Sequence, residues 1–225
     1  MQIAVATSQR ESAKAGRRER IVAAAHDLLR EVGVEDTSVK SIADRAQVSR
    51  STVFNLFAGK AAILAQVFDQ DLLQFEALVE AAPAADSLER IFVSIDIAAR
   101  LYIADPGFYR AIMWRGRASS NDGSNTAMTE PRRAFWRRMI ETAADDGFLD
   151  LRDNVETASV LLATLFMGVL ADWILGVITV EQLRREAAYG FAVTLSAYAD
   201  DEARKRLKAR MADLEALLRA GRQRA

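Results

Sequence analysis

The sequence predicts an all-α chain, and three observations carry that expectation. Of 225 residues 51% are hydrophobic, while only 3 are proline and 11 glycine. Ala, Leu, Arg and Glu, all good helix formers, dominate what lies between the few breakers. Apolar residues recur at spacings of three and four along most of the chain, and no stretch alternates as a half-buried strand would.

Composition also narrows the chemistry. There is no cysteine, and His26 is the single histidine. That excludes disulfides, thiolate metal sites and thiol nucleophiles, and leaves little for general-base catalysis or metal binding. On this helical spacing His26 reads as a surface or boundary residue. No Ser/His/acid set, glycine-rich phosphate loop or metal-ligand spacing is present. The adjacent acids Asp145-Asp146 and Asp200-Asp201 fall at helix boundaries, where capping and solvation account for them. The expectation is therefore no enzyme, no cofactor and no metal. The net charge of −1 conceals a partition: 10 Lys and Arg against 7 Asp and Glu over residues 1–60, 12 against 19 over 61–199, and 8 against 5 over 200–225. A basic head on an acidic body suits one anionic partner.

In chain order, residues 1–16 are small and polar and read as a disordered arm. Arg10, Lys14, Arg17 and Arg18 make its end basic, fit either for DNA phosphates or a minor groove, or for plain solvation. No apolar core of signal-peptide length follows a basic start, so a cytoplasmic protein is expected. Arg17 to Val32 is the first clear helix, with Ile21, Ala24, Ala25, Leu28 and Val32 as its stripe and Gly33 as its stop. Thr37 to Lys60 then reads as two short helices with a tight turn. Val39, Ile42, Ala43 and Ala46 form the apolar face of the first, and Gln47-Val48-Ser49 breaks the pattern. Ser49 is suited to cap the second, which carries Val53, Phe54, Leu56 and Phe57. Helices this short need support from the rest of the chain, and the pair has the size of a DNA-reading helix-turn-helix.

A long helix from Lys60 to about Glu80 follows. Asp86 caps one to about Ala104 that is apolar almost all round, with Glu89, Asp96 and Arg100 on one polar strip. The strip either holds an internal Asp96–Arg100 ion pair or lines a cavity. Pro106 to Arg115 is a short helix, Gly116 to Thr126 a long loop, and Ala127 to Asp146 a helix closed by Gly147. Asp153 or Asn154 caps the next helix. Its apolar run, Ala158 to Val180, is 23 residues with one charge, Asp172. That is long enough to cross a bilayer. The alternative is a helix buried in a core or subunit interface, which Asp172 and the lack of a second span favour. Thr179 caps one more helix to about Ala199. The last, Asp200 to Ala220, repeats Leu207, Met211, Leu214 and Leu218, a seam for its own body or for another subunit.

In a helix-turn-helix the first residues of the second helix meet base edges. Here these are Arg50, Ser51 and Thr52. Arg50 can take guanine O6 and N7 together, and Asn55 can read adenine or hold phosphate. Lys40 and Lys60 are placed for phosphates, which fix register.

Residues 17–69 resemble the DNA-binding domain of the TetR family of transcriptional regulators. The matching pieces are RRERIVAAAHDLLREVG, TSVKSIADRAQVSRSTVFNLF, and Gly59-Lys60 with Ile63-Leu64 behind. Four positions depart from the family pattern: Gln47 stands for a turn glycine, Phe54 for tyrosine, Asn55 for a frequent histidine and Ala61 for an acid. The resemblance implies a three-helix helix-turn-helix domain at 17–60 and a helical effector-binding and dimerisation domain at 61–225. It puts Ser38, Lys40, Ser49, Arg50, Ser51, Thr52, Phe54, Asn55 and Lys60 at the DNA. It implies a homodimer, with Gly168, Ala171 and Gly176 allowing close helix approach and Leu161, Leu165, Leu175 and Phe191 supplying burial. It also implies an effector pocket. Phe92, Tyr102, Tyr109, Met113 and Trp114 are candidates for its wall, with Phe135, Trp136, Met139, Phe166 and Met167. Asp96 and Arg100 join them if the polar strip faces a cavity. The expected function is a ligand-responsive repressor that binds a palindromic double-stranded operator and is released by a small hydrophobic or aromatic effector, with no membrane partner. The alternative is a helical interaction protein whose head reads no specific operator.

Overall fold

The computed structural model of the chain describes residues 2–110, 130–152 and 154–222. Among the described residues the named elements are all helices: α1 (Gln2–Asp36), α2 (Val39–Arg45), α3 (Arg50–Leu56), α4 (Lys60–Ala81), α5 (Ser87–Ala104), α6 (Glu130–Asp145), α7 (Val155–Ile174), α8 (Val180–Ser196) and α9 (Asp201–Arg222). A helical segment also starts at 106 and is described to 110. The one extended pairing is an isolated bridge, Leu149 with Ala199. The chain forms two compact units. The first holds Met1–Asp71 and, of the described residues, 107–110; the second holds Leu72–Pro106 and the described residues from 130 on. The division falls inside α4.

In the first unit, α1 packs Ile21, Val22, Ala25 and Leu29 inward, all buried. Residues 2–16, expected as a disordered arm, are helical and continue α1. No proline interrupts them, and a nucleated helix gains a hydrogen bond with each added residue. Gly33 breaks α1 with φ 78° and ψ 176°, a backbone state that disfavours a side chain. The buried Thr37 hydroxyl donates to the Gly33 carbonyl at 2.7 Å and steadies the exit to α2. From the 106–110 segment, Phe108 meets the His26 ring edge-on at 5.2 Å and sits under Arg30. His26 is half-buried, the boundary residue its helical spacing suggests.

In the second unit α5 is central, with Leu88, Ile91, Ile95, Ala98 and Tyr102 buried. Its polar strip is explained by arginines from α8 and α9. Asp86 pairs with Arg206 at 2.7 Å, Glu89 with Arg210, and Asp96 with Arg184 at 3.1 Å. The Asp96–Arg100 pair is therefore not the one made: Arg100 is exposed, and Asp96 reaches across to α8. Burial raises the Asp86 carboxyl, but the hydrogen bond from Arg206 and the backbone N–H of Glu89 outweigh it and hold the group below the usual range. Arg210 also lies over the Phe92 ring at 4.1 Å.

The apolar run 158–180 is not one helix. α7 ends at Ile174, and Gly176 (φ 74°) closes it, with the Val177 N–H on the Asp172 carbonyl at 2.9 Å and the Gly176 N–H on that of Trp173. Among the described residues α7 is by length and composition able to cross a membrane, with a mean hydropathy of 1.7 and 39% of that window buried. Asp86 and Thr179 cap α5 and α8 as expected, whereas Asn154 stands at the start of α7 without a side-chain capping bond.

Candidate functional site

The turn between α2 and α3 fixes the head. Ser38 caps α2: its hydroxyl accepts the Ser41 N–H at 3.0 Å, and the Ser41 hydroxyl oxygen accepts the Ser38 N–H at 2.9 Å. At the other end of α2 the Val48 N–H reaches the Ala43 carbonyl and the Gln47 N–H that of Asp44, at 3.0 and 3.2 Å. This double bond pattern needs a left-handed residue, and Gln47 supplies it with φ 55°. Such a conformation strains an L side chain by about 1–2 kcal/mol. Gln47→Gly is therefore expected to raise stability by about 0.5–1 kcal/mol, the gain being trimmed by glycine's freer unfolded state. Urea denaturation measures it, and an unchanged midpoint would refute the strain.

Ser49 caps α3 through the Thr52 N–H at 3.1 Å and shares its hydroxyl with those of Ser51 and Thr52, each at 2.8 Å. Val53 and Phe57 bury one side of α3. Arg18 of α1 holds the end of the helix, donating to the Leu56 carbonyl and stacking its guanidinium over Phe57 at 4.3 Å. The opposite side presents Arg50, Ser51, Phe54 and Asn55, all exposed, with Phe54 58% accessible. Arg50 and Asn55 have no side-chain partner among the described residues. Lys40 is exposed on α2 and pairs with Asp44 at 3.3 Å.

Lys60 differs from expectation. It is half-buried, and its ammonium donates to the Val34 carbonyl. It starts α4 beside the end of α1, where a cation is favoured by the carbonyls left open there. The sequence pattern also did not flag Arg18, Thr37 and the α1–α2 pair Glu31–Arg45 (2.7 Å) as the residues that fix the head. Their signal is tertiary, apart from Thr37, whose hydroxyl lies one turn after Gly33.

The residues expected around an effector separate. Met113 and Trp114 lie outside the described residues. Tyr109 is buried in the first unit, its hydroxyl donating to Asp71 at 3.1 Å. Phe135, Trp136 and Phe166 pack together with ring centroids 5.0–5.8 Å apart, and Tyr102 stacks on Trp173 at 5.0 Å. Met139 and Met167 are half-buried.

The residues expected at a dimer interface also separate. Leu161, Leu175 and Gly168 are exposed on α7, and Ala171 is half-buried. Leu165 packs on α8, where a Cβ at Gly190 would fall 2.4 Å from its Cδ1. Phe191 is wholly buried inside the subunit against Trp136, at 5.1 Å between rings, so it is core and not interface. Gly176 serves the turn after α7, not helix approach.

A helix-turn-helix head with an arginine on its outward face that is unpartnered among the described residues is an arrangement suited to reading DNA. Residues 21–67 match the profile of the bacterial regulatory proteins of the tetR family. That match spans the later part of α1, both helices of the helix-turn-helix and the start of α4. It is 26% identical over 147 residues to the uncharacterized HTH-type transcriptional regulator YdeS of Bacillus subtilis strain 168, covering 63% of this chain and 70% of that one. Among solved structures it is similar to Thermus thermophilus FadR, a TetR-family transcriptional repressor in complex with lauroyl-CoA, with 22% identity, TM-score 0.65, and coverage of 80% of this chain and 93% of FadR. It is also similar to SmeT in complex with triclosan, with 24% identity, TM-score 0.58, and coverage of 84% and 94%. SmeT is the repressor of the Stenotrophomonas maltophilia multidrug efflux pump SmeDEF. At these identities the structural likeness is one of fold.

Proposed function

We propose that the chain is a ligand-responsive repressor that binds a palindromic DNA operator as a homodimer and is released by a small hydrophobic or aromatic effector. The observation that carries this reading is the outward face of α3, where Arg50, Ser51, Phe54 and Asn55 stand exposed beside the capped first turn. Arg50 is the residue for guanine, Asn55 for adenine, Phe54 for a thymine methyl and Lys40 for phosphate. Ser38, Ser49, Ser51 and Thr52 have hydroxyls in reach of the same surface. Lauroyl-CoA and triclosan, held by two structural relatives, have apolar or aromatic bodies. That suits the aromatic interior around Phe92, Tyr102, Phe135, Trp136 and Phe166. Effector binding would favour one of two states of the pair of heads, with α4 as the element common to both units. A regulator of this kind works in the cytoplasm and needs no membrane.

The test is selection from a random duplex library followed by a salt titration on the selected site. Enrichment of a palindrome with half-sites about one helical turn apart or more is expected. Affinity should fall roughly 10³-fold or more between 50 and 200 mM salt, as for a protein contacting about 6–10 phosphates. A flat salt response would end the DNA-binding reading. A steep response with no enriched sequence would instead favour a helical interaction protein whose head reads no operator.

A further inference from the structure

Helix α3 has seven residues, too few to hold its shape alone in water. Its last carbonyls have no partner within the helix. α2 closes its own end through the left-handed Gln47, but α3 has no such residue at its end. Phe57, which follows it, is extended at φ −138° and ψ 139°, and the next residue with positive φ is Gly59. The Leu56 carbonyl is closed from outside instead. Arg18 of α1 donates to it through Nη1 and to Gln66 Oε1 of α4 through Nη2, the latter at 3.4 Å. The same guanidinium lies over the Phe57 ring at 4.3 Å. One side chain therefore ties the far end of α3 to both α1 and α4. A cation suits that place, because a helix ends at its negative pole.

The basic run around Arg18 suggests a different role, a direct contact with phosphate. The geometry opposes it. Both terminal nitrogens and one face of the guanidinium are engaged, and the residue is half-buried. Arg18 sits with the buried Phe57, whereas Arg50, Ser51, Phe54 and Asn55 are exposed.

We infer that Arg18 is a positioning residue for operator reading: it fixes the tilt of α3 so that the reading residues meet base edges together, and it touches no DNA itself. The inference rests on the operator reading of α3. The near end of α3 is held by the Ser49 cap and the turn from α2, and Arg18 holds the far end. The helix is about 10 Å long. Freed at its far end, it swings, and several side chains leave their bases at once. Hydrogen bonds to base edges tolerate only about 0.5 Å in length.

Hydrogen exchange of the free chain and binding to two duplexes test it. Arg18→Met keeps a linear side chain but removes the donors. It should speed exchange of the Val53 and Phe57 amides, both bonded within α3, at least about tenfold while exchange in α5 is unchanged. On the duplex selected from a random library its affinity should fall at least about tenfold. On a random duplex it should stay within about twofold, with the same salt slope. Discrimination should be lost at several base pairs of the half-site, not at one as for Arg50→Ala. Arg18→Lys, whose ammonium can still reach the Leu56 carbonyl, should recover part of the loss. Equal weakening on both duplexes with a slope lowered by about one would make Arg18 a phosphate contact and overturn the inference. Wild-type discrimination by a folded Arg18→Met would reduce Arg18 to a stabilising residue and overturn it too. Unchanged exchange in α3 overturns the pinning without any DNA. A wild-type chain that enriches no duplex overturns the operator reading instead, and the exchange result still decides whether Arg18 holds α3.

Discussion

Arg50→Ala is expected to leave the chain folded and its affinity for random duplex nearly intact, while removing about 1–3 kcal/mol of discrimination at one base pair of each half-site. The argument is local. Arg50 follows the cap residue Ser49, is exposed, and makes no hydrogen bond or ion pair with the described residues, so the fold loses nothing when it is truncated. Lys40→Ala provides the contrast, because a phosphate contact weakens all sequences alike and lowers the salt slope by about one. Lys60 would not serve as that control. Its ammonium holds the Val34 carbonyl, so its loss is read first in stability. Competition binding of selected and mismatched duplexes measures the difference. If Arg50→Ala weakens every sequence equally, Arg50 holds phosphate and readout passes to Ser51, Thr52 or Asn55.

Leu161→Asp is expected to turn the proposed homodimer into a monomer and with it to abolish operator affinity. On α7 the exposed residues Thr157, Val160, Leu161, Thr164, Gly168, Asp172 and Leu175 follow helical spacing along one face. Leu161 is 47% and Leu175 58% accessible in the single chain, and Val193 of α8 adds a third apolar residue at 45%. In the proposed symmetric pair, packed on this face, each copy of Leu161 would be buried by the other, and the variant would bury two unpaired carboxylates. A dissociation constant raised at least about a hundredfold corresponds to roughly 2.7 kcal/mol, less than such burial demands. Light scattering during size exclusion gives the mass directly. A variant that keeps the wild-type mass would move the interface off this face.

What was legible in the sequence is what is local. Ser49, Asp86 and Thr179 cap their helices within three residues of the N–H they accept. Gln47 stands in the left-handed turn, at the position where the family pattern has a glycine. What was not legible is decided by distant partners. Asp96 has Arg100 one turn away in sequence, yet pairs with Arg184, 88 positions on. The 3.6-residue period identifies Phe191 as apolar but not which neighbour covers it, and the ring of Trp136 does so from inside the subunit. Tyr109 was grouped with the other aromatics by residue type, whereas its hydroxyl is drawn to Asp71. Ser38 was recognised only as a candidate DNA contact. Its reciprocal bond uses Ser41 in place of the usual glutamate or glutamine, so the cap left no mark in the pattern.

Asp172, which stands exposed on the outer face of α7, has a bearing on how the chain is made. While it is being synthesised, the run from Ala158 to Val180 emerges before α8 and α9 exist to cover it. At that moment it is a bare apolar segment, open to lipid and to other nascent chains alike. A carboxylate near the middle of such a segment costs about 2.5–3.5 kcal/mol on transfer to a bilayer centre. In the folded single chain it is exposed, and only the proposed pairing of two subunits would cover it. Before the native state forms, that transfer cost weighs against insertion of the bare segment into lipid.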